Sequence, residues 1–159
     1  MKIAVAADHR GFEAKRKVLP VLAQWGHLVV DFGCEGAFPA SDYPDVALPA
    51  AKAVAEGVCE IGIFLDGSGI GMSIAANKVR AVRAATVHDE LTARISREAN
   101  HCNVLCLGAD LLSDSDIRRI IRVFLETGFG DGRHARRVRK LCDFEQASTV
   151  KHRAAAVEA

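Results

Sequence analysis

Charge of one sign is what this sequence most lacks. Lys and Arg total 21 and Asp and Glu 20, a net charge of +1. No general attraction to nucleic acid or to an anionic membrane surface is expected from that balance. Long apolar runs are missing too, and none approaches the roughly 20 residues of a membrane span. The opening MKIAVAAD reaches charge too soon for a secretory leader, so none is expected. Cys34, Cys59, Cys102, Cys106 and Cys142 form an odd set without a CxxC pair. They read as reduced thiols in a cytoplasm rather than as a disulfide framework. Cys102 and Cys106 have no second Cys/His pair at zinc spacing, so no metal site is expected. There is no internal repeat and no GxGxxG, and the Lys-Ser/Thr of a P-loop is absent.

What is present is a regular alternation. Apolar runs of strand length occupy 2–7, 27–32, 60–65, 81–87 and 103–108. Helical patterns fill 12–25, 46–56, 72–79, 89–99 and 113–128, and a last one covers about 132–146. In the first helix Val18, Leu19 and Leu22 share one side, with Lys15, Arg16 and Lys17 around the other. The strands are continuous rather than alternating apolar runs, as when both sheet faces are buried. The fold class is therefore α/β: a five-stranded parallel sheet between helix layers, joined by right-handed crossovers. The common strand order for five strands is 2-1-3-4-5. Residues 1–146 read as one domain. The tail 147–159 lacks a large apolar face and is expected to be disordered.

In such a sheet, ligands bind beyond the carboxyl ends of the strands, where the order reverses between strands one and three. Asp8 and His9 follow strand one. Asp66 follows strand three and leads into Gly67, Ser68, Gly69, Ile70 and Gly71. Two polar outcrops thus converge on one crevice. A glycine loop opening a helix turns main-chain N–H groups toward an anion, so a carboxylate at its mouth needs explaining. The plainer readings are a tight strand-to-helix turn for the loop, and helix caps for Asp66 and Asp8. The turn-rich segment 33–45 is long for a connection, which marks it as a candidate functional loop. In the last helix Arg133 and Arg137 lie four apart on one face, with Arg136 and Lys140 beside them. The cluster suits a phosphate clamp or a solvated face. A nucleic-acid surface is disfavoured because no aromatics interleave it.

These residues carry a resemblance to the ribose-5-phosphate isomerase B and galactose-6-phosphate isomerase family. It runs from residue 1 to about 146, through AADHRGFEAK (6–15), SDYPD (41–45), DGSGIGMSIAANKV (66–79), Arg83, the segment 99–109 and DGRHARRV (131–138). The resemblance implies a three-layer, Rossmann-like α/β/α fold in a homodimer or homotetramer, with active sites built from two subunits. It implies aldose–ketose isomerisation of a sugar phosphate, of the ribose 5-phosphate/ribulose 5-phosphate type, through an enediolate, without metal or cofactor. A base beside an anion hole fits that chemistry. By the same resemblance Asp8, His9, Tyr43 and Asn100 contact substrate and Gly67 to Gly71 form the anion hole. Ser68 stands where some members have threonine, and Arg133 and Arg137 hold the phosphate with help from His9.

Three positions depart from the family pattern. The family base is a cysteine at position 66 or a glutamate at position 72, where this chain has Asp66 and Met72. The ring-opening histidine falls at Ala99, and a phosphate-binding arginine falls at Asp110. One reading makes Asp66 and Ser68 the catalytic pair of an isomerase whose substrate is shifted toward an acyclic sugar phosphate. Asp110 would then bond a hydroxyl, and His88, His101 or His134 are candidates for any ring-opening step. The alternative is a sugar-phosphate-binding subunit that works only with a related partner chain, since one chain of galactose-6-phosphate isomerase also has Asp at this position. A nucleotide-binding module is the third and weakest reading. The residues leave open the sugar and the oligomer size.

Overall fold

The computed structural model describes residues 1–157, with side chains as far as 147. Strands β1 (Lys2–Ala7), β2 (Leu28–Asp31), β3 (Ile61–Asp66), β4 (Ala84–Thr86) and β5 (Val104–Gly108) form one wholly parallel sheet. They alternate with helices α1 (Phe12–Gln24), α2 (Tyr43–Ala55), α3 (Ile70–Ala76), α4 (Glu90–Asn100), α5 (Asp114–Glu126) and α6 (Arg133–Val157). Successive strand residues point to opposite faces. Ile3, Val5, Ile61, Ile63, Leu65, Leu105 and Leu107 pack on one face against Val18 and Leu22 of α1, Ala93 of α4 and Ile117, Ile120, Ile121 and Phe124 of α5. Ala4, Ala6, Phe64, Val104 and Cys106 pack on the other against the alanine-rich inner side of α2 and Met72, Ala75 and Ala76 of α3. Asp89 and Ser113 start α4 and α5 with reciprocal capping boxes. No helix among the described residues is long and apolar enough to cross a membrane.

The strand order is β2-β1-β3-β5-β4, which corrects the expected 2-1-3-4-5 at its last two places. Burial accounts for the exchange. VLCLG of β5 is buried at every residue, whereas the three residues of β4 are each only half-buried. The longer apolar strand takes the interior place, and the short one the edge. The reversal at β1 is unaffected, but β5 and not β4 now lies beside β3.

Two further expectations are corrected. Lys15 is buried, although the helical pattern set it on the outer side of α1; its Nζ donates to both carboxylate oxygens of Asp31, at 3.0 and 2.9 Å, and to the Cys34 carbonyl at 2.8 Å. The ion pair and the carbonyl satisfy the ammonium, so α1 can turn it inward. The helix predicted over about 132–146 is longer and runs to Val157. Residues 158–159 lie outside the described residues.

Candidate active site

Strand β1 delivers Asp8 and His9, and β3 delivers Asp66 and the glycine loop, to the two sides of the reversal point. The Asp8 N–H donates to the Leu65 carbonyl at 3.3 Å, tying the two strand ends together. The expected convergence is therefore present, and its centre is Asp66.

Asp66 is 95% buried at 5% exposure, so protein groups must satisfy its carboxylate. Oδ1 accepts the Ser68 N–H at 2.9 Å and the Gly69 N–H in a still shorter bond. Oδ2 accepts the Met72 N–H at 3.2 Å. Gly69 makes this possible because its φ of 81° lies where a side chain would be strained. The loop's N–H groups thus close on their own strand's carboxylate. Charge complementarity is met inside the turn, which accounts for a carboxylate at a site built for anions. Oδ1 is fully engaged. Oδ2 has the one N–H of Met72 and lies beside Gly71: a Cβ built there would be 3.2 Å from it and 3.1 Å from the Tyr43 ring. Asp66, Gly71 and Tyr43 therefore meet at one point. Tyr43 stands at the start of α2, where the 33–45 loop ends.

The neighbouring polar groups are also fixed. Asp8 is buried and its Oδ1 accepts the N–H groups of Arg10 and Gly11, both at 2.9 Å. The His9 N–H donates to Ser41 Oγ at 3.1 Å, and its Nδ1 lies 3.1 Å from the Ser41 carbonyl. A carbonyl only accepts, so Nδ1 carries the proton and Nε2 is the nitrogen left for a ligand. Ser68 Oγ accepts the Ile70 N–H at 3.2 Å, which still leaves its own proton to donate. The Ile70 side chain is exposed.

One residue of the crevice was not legible in the sequence. The Arg10 guanidinium forms an ion pair with Asp110 and lies on the glycine loop, because a Cβ on Gly67 would be 2.7 Å from both Arg10 Nε and Asp110 Oδ2. The Asp110 N–H in turn donates to the Gly67 carbonyl at 3.2 Å. Three loops, after β1, β3 and β5, are joined there. The signal was Arg10 following Asp8 and His9 directly. It could be used only once β5 was known to adjoin β3.

Asn100, Arg133 and Arg137 do not join this cluster within one chain. Asn100 ends α4, three residues before Asn103, which accepts from Gly62 where the strands begin. Gly130, just before Arg133, donates to the Glu98 carbonyl at 2.9 Å, so the start of α6 sits at that same end. All three side chains are exposed. The five residues of β5 separate this end from the loop by roughly 16 Å at about 3.3 Å per residue. His101 lies with them, stacked on Phe129 with ring centres 4.2 Å apart. Burial first, then the positive charges of Arg83 and Arg97, hold its imidazole below the ordinary pKa of 6.5. His134 has a buried Nδ1 without a partner among the described residues. His88 is exposed, and its N–H meets Thr92 Oγ1 at the start of α4.

Comparison with known proteins shows the family. The family model described as Ribose/Galactose Isomerase matches residues 3–141. A putative sugar phosphate isomerase of Bacillus subtilis is 38% identical over 146 residues, covering 92% of this chain and 98% of the relative. A D-erythrulose-4-phosphate isomerase of Pectobacterium atrosepticum is 36% identical over 145 residues, covering 91% and 95%. Ribose-5-phosphate isomerase B of Clostridium thermocellum superposes with a TM-score of 0.90 at 41% identity, over 93% of this chain and 99% of that one. The Mycoplasma genitalium enzyme, solved with bound ribulose-5-phosphate, gives 0.88 at 37%, over 91% and 96%. On the family match over residues 3–141 and these full-length likenesses, the chain belongs to the Ribose/Galactose Isomerase family and is an aldose–ketose isomerase of phosphorylated sugars.

Proposed function

We propose that the substrate is a short sugar phosphate that does not close a ring, and that Asp66 is the base. The observation that carries this is the asymmetry of the Asp66 carboxylate, with Oδ1 locked by two N–H groups and Oδ2 turned toward Gly71 and Tyr43. Oδ2 takes a proton from the carbon beside the carbonyl and returns it to the neighbouring carbon. The hydroxyl of Ser68 moves the second proton between the two oxygens. The Gly67 and Gly71 N–H groups, which the Asp66 carboxylate does not engage, face the enediolate charge. His9 Nε2, Tyr43 and Asp8 line the substrate.

An acyclic substrate suits Ala99, which stands where the resemblance implies a ring-opening histidine. The relative named D-erythrulose-4-phosphate isomerase acts on a four-carbon compound by its name, so a tetrose phosphate is within reach of a related crevice. Because Asn100, Arg133 and Arg137 sit at the far end of their own sheet, we assign them to the crevice of a second copy. The working unit is then a homodimer or a larger homo-oligomer. The five free cysteines suit a cytoplasmic setting.

One observation favours the alternative of a partner-dependent, non-catalytic subunit: the Ser68 and Gly69 N–H groups of the loop are already occupied by Asp66. Proton exchange decides between the two. Four-, five- and six-carbon sugar phosphates are incubated in D2O with the purified protein, and deuterium at the carbons flanking the carbonyl is followed by NMR for wild type and Asp66→Asn. Exchange with a tetrose phosphate, lost in the variant, is the expected result. Binding without exchange by any sugar would favour the partner-dependent subunit.

A further inference from the structure

We propose that Arg10, held in place by Asp110, binds the anionic group of the substrate and sets the preference of this crevice for phosphorylated sugars. The inference rests on the isomerase reading above and adds a residue to its site. The crevice is otherwise negative. Asp8 and Asp66 are buried beneath it and Asp110 stands at its rim. A phosphate approaching these three carboxylates needs a compensating charge on the same side. Lys15 is buried on Asp31, and Arg133 and Arg137 lie at the other end of their own chain and reach a crevice only from a second copy, so the charge supplied by the chain that forms the crevice must come from elsewhere. Arg10 is the cation that touches the glycine loop.

Its placement is over-determined for a surface residue. Asp8 Oδ1 fixes its main-chain N–H at 2.9 Å, Asp110 holds one end of the guanidinium, and Gly67 supplies a surface without a side chain for the guanidinium to lie on. Asp110 is itself anchored to that glycine's carbonyl. The ion pair is exposed, at 60% for Arg10 and 41% for Asp110, so it adds little to stability. The bond to Asp110 uses one of the five N–H donors of the guanidinium. The rest of the fork remains for a phosphate, whose oxygens match it in pairs. Asp110 acts through Arg10: it is a positioning residue.

The test compares wild type, Arg10→Ala, Arg10→Lys and Asp110→Asn. The readouts are KM and kcat from D2O exchange, thermal midpoints, and the affinity for inorganic phosphate by titration calorimetry. Arg10→Ala is expected to raise KM and to weaken phosphate binding by roughly 10- to 100-fold, as for a lost charge-assisted bond. Its kcat should stay within about threefold of wild type. Lysine should recover part of the loss, and Asp110→Asn should raise KM by about three- to tenfold through a less ordered guanidinium. All midpoints should stay within a few degrees. An unchanged KM and phosphate affinity in Arg10→Ala would overturn the proposal. So would equal loss in Arg10→Ala and Arg10→Lys accompanied by a large fall in midpoint, which marks a structural pair. If wild type exchanges no sugar, the isomerase reading fails by itself, and the phosphate titrations still decide the role of Arg10.

Discussion

At the scale of single residues, the proposed role of Asp66 as base adds to a structural one, and the two separate by oxygen. Oδ1 receives the Ser68 and Gly69 N–H groups, and Oδ2 receives one at 3.2 Å from Met72 and lies beside Gly71. In Asp66→Asn the amide oxygen can keep the place of Oδ1, but its NH2 then meets the Met72 N–H, donor against donor. A buried donor left without an acceptor costs about 1–3 kcal/mol. Loss of a positioned base costs about 10²- to 10⁴-fold in rate. The variant should therefore still fold, with a midpoint lowered by several degrees, and its turnover should fall by at least about a hundredfold. Turnover near wild type would remove Asp66 as base. Asp8, His9, Asp66 and the glycine loop were all legible in the sequence because each lies within a few residues of a strand end. Arg10 was not, because what gives it meaning is a partner one hundred positions away.

At the scale of elements, strands and helices were legible from their apolar periods, and the relations between elements were not. The exchange of β4 and β5 follows from how deeply each strand is buried, which a period does not report. Lys15 was read outward by its charge, yet it ties α1 to the end of β2 and to the Cys34 carbonyl at the start of the loop that leads to Ser41 and Tyr43. Asp31→Ala should leave this buried ammonium with the carbonyl alone. Because Asp31 is itself 39% exposed, the expected cost is about 2 kcal/mol, below the range for a fully buried pair. A thermal midpoint lowered by roughly 4–8 °C would express it; an unchanged midpoint would make the pair ornamental. The end of α4 carries a second prediction. His101 ends the helix with φ 51°, and burial and the neighbouring arginines depress its pKa below 6.5. The folded chain then binds fewer protons there than the unfolded chain below pH 6.5. Its contribution is complete above that pH and is lost as pH falls through the folded value. Asn tolerates this backbone conformation and does not titrate. Between pH 7.5 and 5.5 the midpoint of His101→Asn should fall less than that of wild type, and equal falls would refute the assignment.

At the scale of the whole molecule, the residues proposed for the site fall into two groups at opposite ends of one sheet. One holds Asp66, His9, Tyr43 and Arg10, and the other holds Asn100, Arg133 and Arg137. The spacing of motifs along the sequence could not separate them, because parallel strands bring every βα loop to one end and every αβ loop to the other. Asn100 belongs to an αβ connection and Asp66 to a βα loop, so no packing of this one chain joins them. A symmetric assembly can, if the base end of one copy faces the arginine end of another. Two variants that fail alone then give a decisive mixture. Asp66→Asn lacks the base but keeps its arginines, while Arg137→Ala keeps its base and lacks a clamp residue. Co-expressed in equal amounts with different tags, they should form dimers of which half are mixed. Each mixed dimer holds one crevice with both defects and one with neither. Exchange activity should therefore recover to about one quarter of wild type, and to about one half in the doubly tagged fraction. Sites confined to single chains cannot recover in this way, so a mixture as inactive as its parents would refute a crevice shared between two copies.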